Sequence, residues 1–355
     1  MRLFKFSIIA MLFLAVACAT SDRVAFYGDI KIVDYPNQED ILKGYPVKLE
    51  GEYTGSMYVY DGILVFQSHK HQASWLYLYD SETGKRVNAI CKIGEGPDEY
   101  THFEPFNGTF EKHSDGTCLW INNKARNRIE LLNMRGEIVK QFDVLKFEST
   151  NPYGFGSFYV LNDSLLWAYV STIKIFENKY SAPSHYIFNY KLGKIVNKYT
   201  FYSNYETDDR TDIWPDSYLT STACGMKSDR TKLALAMPFL KRVDILDFKS
   251  GKMKSVQMRD SPDLNSISLD VRLNRHYWGS ICDDRYIYVA EGSYEQFFGT
   301  IQIFDWDGNF VRVLRINEEG YEKGYVFALD PVRKILYTKN DAEEVTAYDV
   351  NYLYE

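Results

Sequence analysis

The strongest constraint in this sequence is a unit that occurs six times. Each copy is a run of aromatic and β-branched residues, an aspartate-centred turn and a second such run, which is typical of two paired strands. Aspartate suits the turn because its side chain hydrogen-bonds to nearby backbone N–H groups. The copies read MYVYDGILVF at 57–66, HSDGTCLWI at 113–121, YVLNDSLLWAYV at 159–170, MKSDRTKLALA at 226–236, ICDDRYIYVA at 281–290 and FALDPVRKILYT at 327–338.

A second unit follows each of the first five copies and consists of a strand, a turn with glycine and another strand. Glycine supplies the positive φ that such a hairpin turn requires. The two units together predict a four-stranded antiparallel blade, and six blades predict an all-β fold, the six-bladed β-propeller. The turn glycines, spaced 52, 57, 58 and 57 residues apart, are Gly84, Gly136, Gly193, Gly251 and Gly308.

The sixth blade has only three strands in its own stretch of sequence. A strand-like segment, YPVKLEGEY at 45–53, precedes the first blade and has no place in it. We expect this N-terminal strand to complete the sixth blade and close the ring, because closure removes exposed strand edges. Residues 45–355 contain no linker-like stretch and are predicted to form one propeller domain.

The first 17 residues have the pattern of a signal peptide. A basic start is followed by an apolar run, FSIIAMLFLAVA at 6–17, which is too short to span a bilayer. Cys18 comes next, and the segment resembles a bacterial lipobox although Ala15 stands where leucine is usual. We expect Cys18 to be lipidated, residues 18–44 to form a tether, and the protein to be anchored in the cell envelope, at the outer membrane. A secreted protein that begins with a free cysteine is the alternative.

Charge limits the partners. The whole chain carries a net charge of −7, and without residues 1–17 it has 39 basic and 48 acidic residues, about −9. Nucleic acid requires a positive surface, so we expect no nucleic-acid partner and membrane contact through the lipid anchor only. The remaining cysteines are irregularly spaced in apolar strands, which favours buried free thiols but leaves disulfides open. They are Cys91, Cys118, Cys224 and Cys282.

A glycine-containing segment, GEGPDEY at 94–100, follows the first blade. A phosphate-binding loop needs free backbone N–H groups and a following helix. Pro97 has no N–H group, Asp98 and Glu99 would repel an anion, and no helical pattern follows. The segment is therefore predicted to be a turn.

The same segment carries a family resemblance. Gly94, Gly96, Pro97, Glu99 and Tyr100, together with the lipobox and six blades, resemble the TolB-like six-bladed propeller lipoproteins of Bacteroides-type bacteria, which have NHL-like repeats. The resemblance implies export, a lipid anchor and a propeller, and it supplies no catalytic residues. Some relatives bind ligands, and some six-bladed propellers are metal-dependent lactonases or esterases, so the fold alone does not choose a function.

Candidate binding residues lie in the connections between blades and between second and third strands, which share one face of a propeller. Aromatic side chains beside arginine and aspartate suit glycan or peptide ligands, which combine flat apolar faces with polar groups. The alternative is that these aromatics pack the loops onto the blades. The predicted ligand-binding residues are Tyr153, Trp214, Tyr218, Arg275, His276, Trp278 and Tyr294.

The sequence offers no catalytic residue, metal ligand or cofactor motif. The acidic clusters at 206–212 and 282–285 are candidate calcium sites. His69 and His71, two positions apart, are a candidate pair of metal ligands. We therefore predict a binding or scaffold protein of the envelope whose partner is a glycan, a peptide or an envelope protein. The alternative is a divalent-metal-dependent hydrolase with its site in the central channel, which would need several converging carboxylate or imidazole groups.

Overall fold

The computed structural model describes residues 30–355 apart from 38, 52, 69–72, 102–108, 115, 144–156, 171–172, 175–178, 181–183, 200–222, 263–275, 293–297, 317–323 and 341. Within these residues the chain is almost entirely β-structure, with two short 3₁₀ helices at Lys124–Arg126 and Asn351–Tyr354. The all-β prediction is confirmed.

The strands in chain order are β1 (Ile30–Val33), β2 (Glu39–Leu42), β3 (Tyr45–Val47), β4 (Ser56–Tyr60), β5 (Ile63–Gln67), β6 (Ser74–Asp80), β7 (Arg86–Lys92), β8 (Phe110–His113), β9 (Gly116–Asn123), β10 (Arg128–Asn133), β11 (Ile138–Asp143), β12 (Ser157–Val160), β13 (Leu165–Val170), β14 (Ile173–Lys174), β15 (Lys179–Tyr180), β16 (Ser184–Asn189), β17 (Lys194–Tyr199), β18 (Ala223–Met226), β19 (Lys232–Met237), β20 (Arg242–Asp247), β21 (Met253–Met258), β22 (Tyr277–Cys282), β23 (Tyr286–Gly292), β24 (Phe298–Asp305), β25 (Phe310–Ile316), β26 (Gly324–Asp330), β27 (Ile335–Asn340) and β28 (Val345–Asp349).

These strands form six four-stranded antiparallel blades, as the repeats predicted. From the inner to the outer strand, blade one is β4–β7, blade two β8–β11, blade three β12, β13, β16 and β17, blade four β18–β21, blade five β22–β25, and blade six β26–β28 followed by β3. A small hairpin, β14 with β15, lies between the second and third strands of blade three. The aspartate turns form one end of the ring, which we call the turn face, and the connections between blades form the opposite loop face.

The glycines of the second unit adopt the predicted conformation, with φ between 67° and 84° at all five positions. Gly84 shows a second reason for glycine. A β-carbon there would lie 1.8 Å from the carbonyl oxygen of Lys48, in the segment that follows the outer strand of blade six. The turn of one blade thus packs directly on the outer strand of the blade before it.

Ring closure is confirmed. Strand β3 pairs antiparallel with β28, where Val47 lies opposite Val345. On the inner side, the buried Asp330 of blade six joins the first turn of blade one, because its carboxylate accepts hydrogen bonds from the backbone N–H groups of Asp61 (3.1 Å) and Gly62 (2.7 Å). The ring is therefore closed at the outer strand of blade six and also at the inner strands of blades six and one.

Residues 30–42, which sequence analysis placed in the tether, form two further strands that we call the strap. Strand β1 pairs in parallel with β21, the outer strand of blade four, and β2 pairs in parallel with β25, the outer strand of blade five. The strap therefore covers the outer edges of two neighbouring blades. Sequence alone gave no indication of these strands.

The core lies between neighbouring blades. Between blades three and four, Tyr159 and Trp167 pack against Leu233 and Leu235. Aromatic residues, which are frequent in this sequence, lie in these interfaces because large rings fill the wedge between twisted sheets. The side chains of Cys91 and Cys118 are buried, and that of Cys282 is partly buried.

One ion pair is fully buried in blade four. Arg242 Nε donates to Asp244 Oδ1 at 2.8 Å, and both side chains are completely excluded from solvent. Arg242 Nη2 also donates to the hydroxyl of Ser255 at 2.9 Å. Buried charges persist in proteins when they are paired and hydrogen-bonded in this way.

Candidate binding site in the axial channel

A cavity of about 580 Å³ lies on the axis of the ring. Its walls come from the innermost strand of every blade, β4, β8, β12, β18, β22 and β26, and from the aspartate turns that follow several of them. The cavity therefore opens toward the turn face. Its size is in the range of sites that bind small organic ligands.

Part of the wall is aromatic. Tyr60 ends the inner strand of blade one and Phe110 begins that of blade two, and their rings stack with centroids 5.5 Å apart and planes inclined by 19°. Burial raises the pKa of the Tyr60 hydroxyl above its usual value, so the hydroxyl stays neutral. This pair offers a flat apolar surface edged by a hydroxyl group, a combination suited to a sugar ring.

A second feature is an ion pair between blades that are not neighbours. Arg230 Nη2, from the turn of blade four, lies 2.8 Å from Glu111 Oε2 in the inner strand of blade two. The indole of Trp120 donates to the same carboxylate oxygen at 3.1 Å and so fixes its position. Both charged side chains are partly exposed, and a ligand in the cavity could reach them. Arg230 has a φ of +62°, a conformation that is unusual for a residue other than glycine.

Charged side chains of both signs lie in the cavity wall. Its lining includes Lys112, Lys227 and Arg230 as cations, and Glu111 and Asp284 as carboxylates. Each cation already has a carboxylate partner: Lys112 lies 3.2 Å from Asp61, Arg230 lies 2.8 Å from Glu111, and Lys227 contacts Asp229. Because a guanidinium has five N–H donors, Arg230 can donate to an anionic group of a ligand while it keeps its hydrogen bond to Glu111.

The described residues offer no group of three or more histidine, cysteine, aspartate or glutamate side chains placed to hold a metal ion. In the cluster at 282–285, the Asp283 carboxylate accepts hydrogen bonds from the backbone N–H groups of Arg285 and Tyr286, each at 2.8 Å, and so serves the turn. The other predicted metal candidates, His69, His71 and residues 206–212, lie outside the described residues.

The predicted ligand residues of the loop face are only partly described. His276 and Trp278 are placed at the start of blade five, whereas five others lie outside the described residues. Burial and, to a smaller degree, Lys241 lower the pKa of His276. Trp278 is partly buried and packs against the core between blades five and six. The five undescribed residues are Tyr153, Trp214, Tyr218, Arg275 and Tyr294.

Near His276, a polar cluster fixes the strap on the loop face. Lys241 Nζ lies 2.7 Å from Asp260 Oδ2 and 3.1 Å from Glu291 Oε1. The Tyr35 hydroxyl of the strap donates to the same Glu291 oxygen at 2.6 Å. Burial, then the bond to Glu291, raises the pKa of Tyr35. The hydrogen-bonding groups of these four side chains pair with one another, so the cluster serves to hold the strap in place.

The segment 94–100 is a turn, as predicted. The Glu99 carboxylate accepts the N–H of Gly96 at 3.0 Å and the ammonium of Lys92 at 2.5 Å. Arg126 donates to the carbonyl oxygen of Gly96 at 2.8 Å. The Tyr100 hydroxyl donates to the buried Glu130 at 2.9 Å. The N–H of Gly96 is therefore used by the protein's own carboxylate.

The residues Tyr60, Glu111 and Arg230 are not among the site residues predicted from the sequence. Two of these residues flank turn aspartates of the repeat, since Tyr60 precedes Asp61 and Arg230 follows Asp229. Inner strands line the axis of a propeller, so the positions beside these aspartates would have identified the cavity mouth. The pairing of Arg230 with Glu111 joins residues 119 positions apart and has no local signal.

The fold and the cavity define the molecule as a six-bladed propeller with an axial cavity, and solved structures share this fold. A member of the DUF4221 family from Bacteroides vulgatus has a TM-score of 0.58 and 11% identity, over 93% of this chain and 98% of that one. A candidate exported protein from Bacteroides fragilis has a TM-score of 0.57 and 14% identity, over 90% and 99%. Raptor from Chaetomium thermophilum has a TM-score of 0.50 and 11% identity, over 87% of this chain and 29% of that protein.

These identities are low, so the likeness is one of fold. No protein-family model and no curated protein matches the sequence. In the part of the chain that the structure describes, no helix is long and apolar enough to cross a membrane.

Proposed function

We propose that this protein is an exported binding module held at the bacterial envelope by a lipid on Cys18, in the outer membrane. The apolar leader and the lipobox-like segment before Cys18 support export and acylation. A structural neighbour that is a candidate exported protein supports export. The propeller then serves as a rigid frame that presents a binding site.

The ligand that suits the axial cavity best is a short glycan with a carboxylate group. The observation that carries this proposal is the placement of the Tyr60–Phe110 stack in the same cavity as Arg230. A sugar ring would lie against the aromatic pair, and its carboxylate would accept hydrogen bonds from the guanidinium, whose planar fork matches that group. The predicted aromatic residues of the loop face remain candidates for a larger glycan, a peptide or an envelope protein.

A binding screen tests this function. Residues 19–355, which lack the leader and the anchor cysteine, would be applied to arrays of acidic glycans, neutral glycans and carboxylate-bearing peptides, and hits measured by calorimetry. We expect acidic glycans to bind, and the variants Arg230→Gln and Tyr60→Ala each to weaken binding at least about tenfold. The control Arg135→Gln removes an exposed arginine elsewhere in blade two and should leave affinity unchanged.

Two results would contradict the proposal. Binding that survives both cavity variants would place the ligand elsewhere, with the loop face as the next surface to mutate. A stoichiometric calcium or zinc ion, lost with thermal stability on chelation, would favour the metal-dependent hydrolase instead.

A further inference from the structure

The strap shows how an outer strand of this propeller recognises an extended segment. Strand β2 runs parallel to β25 in a continuous register. Its acidic side chains pair with arginines of β25: Asp40 lies 2.7 Å from Arg312, and Glu39 contacts Arg315. Backbone pairing gives such an added strand its affinity, and the side-chain ion pairs select its charge.

Blade three has an outer strand of similar character that no strand covers within the described residues. Strand β17 ends its sheet, and its first five residues are all exposed to solvent. Large apolar side chains lie open beside one another in this hairpin, with 66% of Leu192, 43% of Ile195 and 54% of Val196 exposed. An edge strand of this kind is a template for pairing with another chain.

The same hairpin is basic. Lys191, Lys194 and Lys198 fall within eight residues, and the sequence from 190 to 199 contains no acidic residue. No carboxylate of the described residues lies within 4.0 Å of these three ammonium groups. The patch is therefore positive on a chain whose net charge is −7.

We propose that the outer edge of β17 binds an extended acidic segment of a partner protein, which adds to blade three as a fifth strand. Apolar side chains of that segment would cover Ile195 and Val196, and its carboxylates would pair with the lysines, as Asp40 and Glu39 pair with arginines on blade five.

Two other occupants fit less well. A second copy of this chain, paired edge to edge through β17, would bring lysines opposite lysines, which is unfavourable. A lipid surface would cover the apolar side chains, but hydrocarbon cannot hydrogen-bond to the outward backbone groups of a strand edge. The site lies on the rim of blade three, and the proposal is independent of the axial cavity.

The test uses a fluorescent peptide with the strap sequence of residues 36–44, PNQEDILKG, and residues 19–355 of the protein. The peptide carries the acidic pair that docks on blade five, where the edge is already occupied. We expect saturable binding, at least about tenfold weaker for the peptide with Glu39→Lys and Asp40→Lys. Hydrogen exchange should slow at residues 194–198 when peptide is added.

A matched pair of protein variants locates the site. Replacing Lys191, Lys194 and Lys198 by glutamate should weaken peptide binding at least tenfold. Replacing Lys249, Lys252 and Lys254 makes the same charge change on the equivalent hairpin of blade four, whose outer strand is already covered by β1, and should leave binding unchanged. Thermal unfolding of both variants checks that the fold is retained.

Several outcomes would overturn the proposal. The first is that the acidic peptide does not bind. The second is that the two triple variants lose the same amount of peptide affinity. The third is that hydrogen exchange at residues 194–198 is already slow in the protein alone, which would mean that the chain covers its own edge. Binding to anionic vesicles that is lost in the blade-three variant, with no peptide binding, would assign the patch to lipid instead.

Discussion

We expect one completely buried histidine to make the free energy of unfolding depend on pH. His185 in blade three is completely buried, and its ring stacks on that of Trp167 with centroids 5.6 Å apart. Burial lowers the pKa of His185 from 6.5 to about 3, because the charged ring would lose its hydration. The histidine is therefore neutral in the folded protein under ordinary conditions.

The sign and size of the effect follow from linkage. Below pH 6.5 the unfolded chain binds a proton at this ring that the folded chain does not, so the free energy of unfolding falls as pH falls, until about pH 3. One proton corresponds to about 1.4 kcal/mol for each pH unit. Between pH 6.5 and about pH 4.5, His185 should therefore remove roughly 2–3 kcal/mol.

The assay compares urea unfolding of the wild type and His185→Phe between about pH 7.5 and pH 4.5, followed by tryptophan fluorescence. The variant should lose about 2–3 kcal/mol less than the wild type over the acidic part of this range. Ile187→Val, in the same strand and interface, should cost about 1 kcal/mol at every pH and keep the wild-type slope. Parallel curves for the wild type and His185→Phe would refute the reasoning.

Two further predictions concern packing. Asp244→Leu leaves a buried guanidinium without its carboxylate and should cost about 3–5 kcal/mol in urea unfolding. Glu137→Ala, which removes one partner of an exposed ion pair, should cost much less because solvent screens that pair. Similar losses in the two variants would show that burial does not set the cost. Gly84→Ala places a β-carbon at a residue with a φ of +69° and against the carbonyl oxygen of Lys48, so it should cost about 2–5 kcal/mol in the same assay. Gly116→Ala is the control, because φ there is +99° but the space is open, and it should cost about 1–2 kcal/mol. Equal melting temperatures of the two alanine variants would argue against the close approach of neighbouring blades.

The sequence by itself determined the blades. Aspartate turns such as the one at Asp330, and glycine turns such as the one at Gly84, depend on local backbone conformation and on hydrogen bonds within a few residues. Runs of aromatic and β-branched residues on either side favour strands, and middle strands such as β20 and β23 are buried along most of their length. The closing strand at Tyr45–Val47 followed from counting, because five complete blades and one with three strands leave one place to fill.

Only the tertiary structure decided where the chemistry lies. The strap pairs with blades four and five through registers that no local pattern encodes, because any exposed outer strand offers the same backbone groups. Arg230 and Glu111 meet in the axial cavity because blades two and four flank blade three and both send side chains toward the axis. Local interactions along the chain set its turns and strands, whereas closure of the ring sets the distances between blades, and with them the cavity.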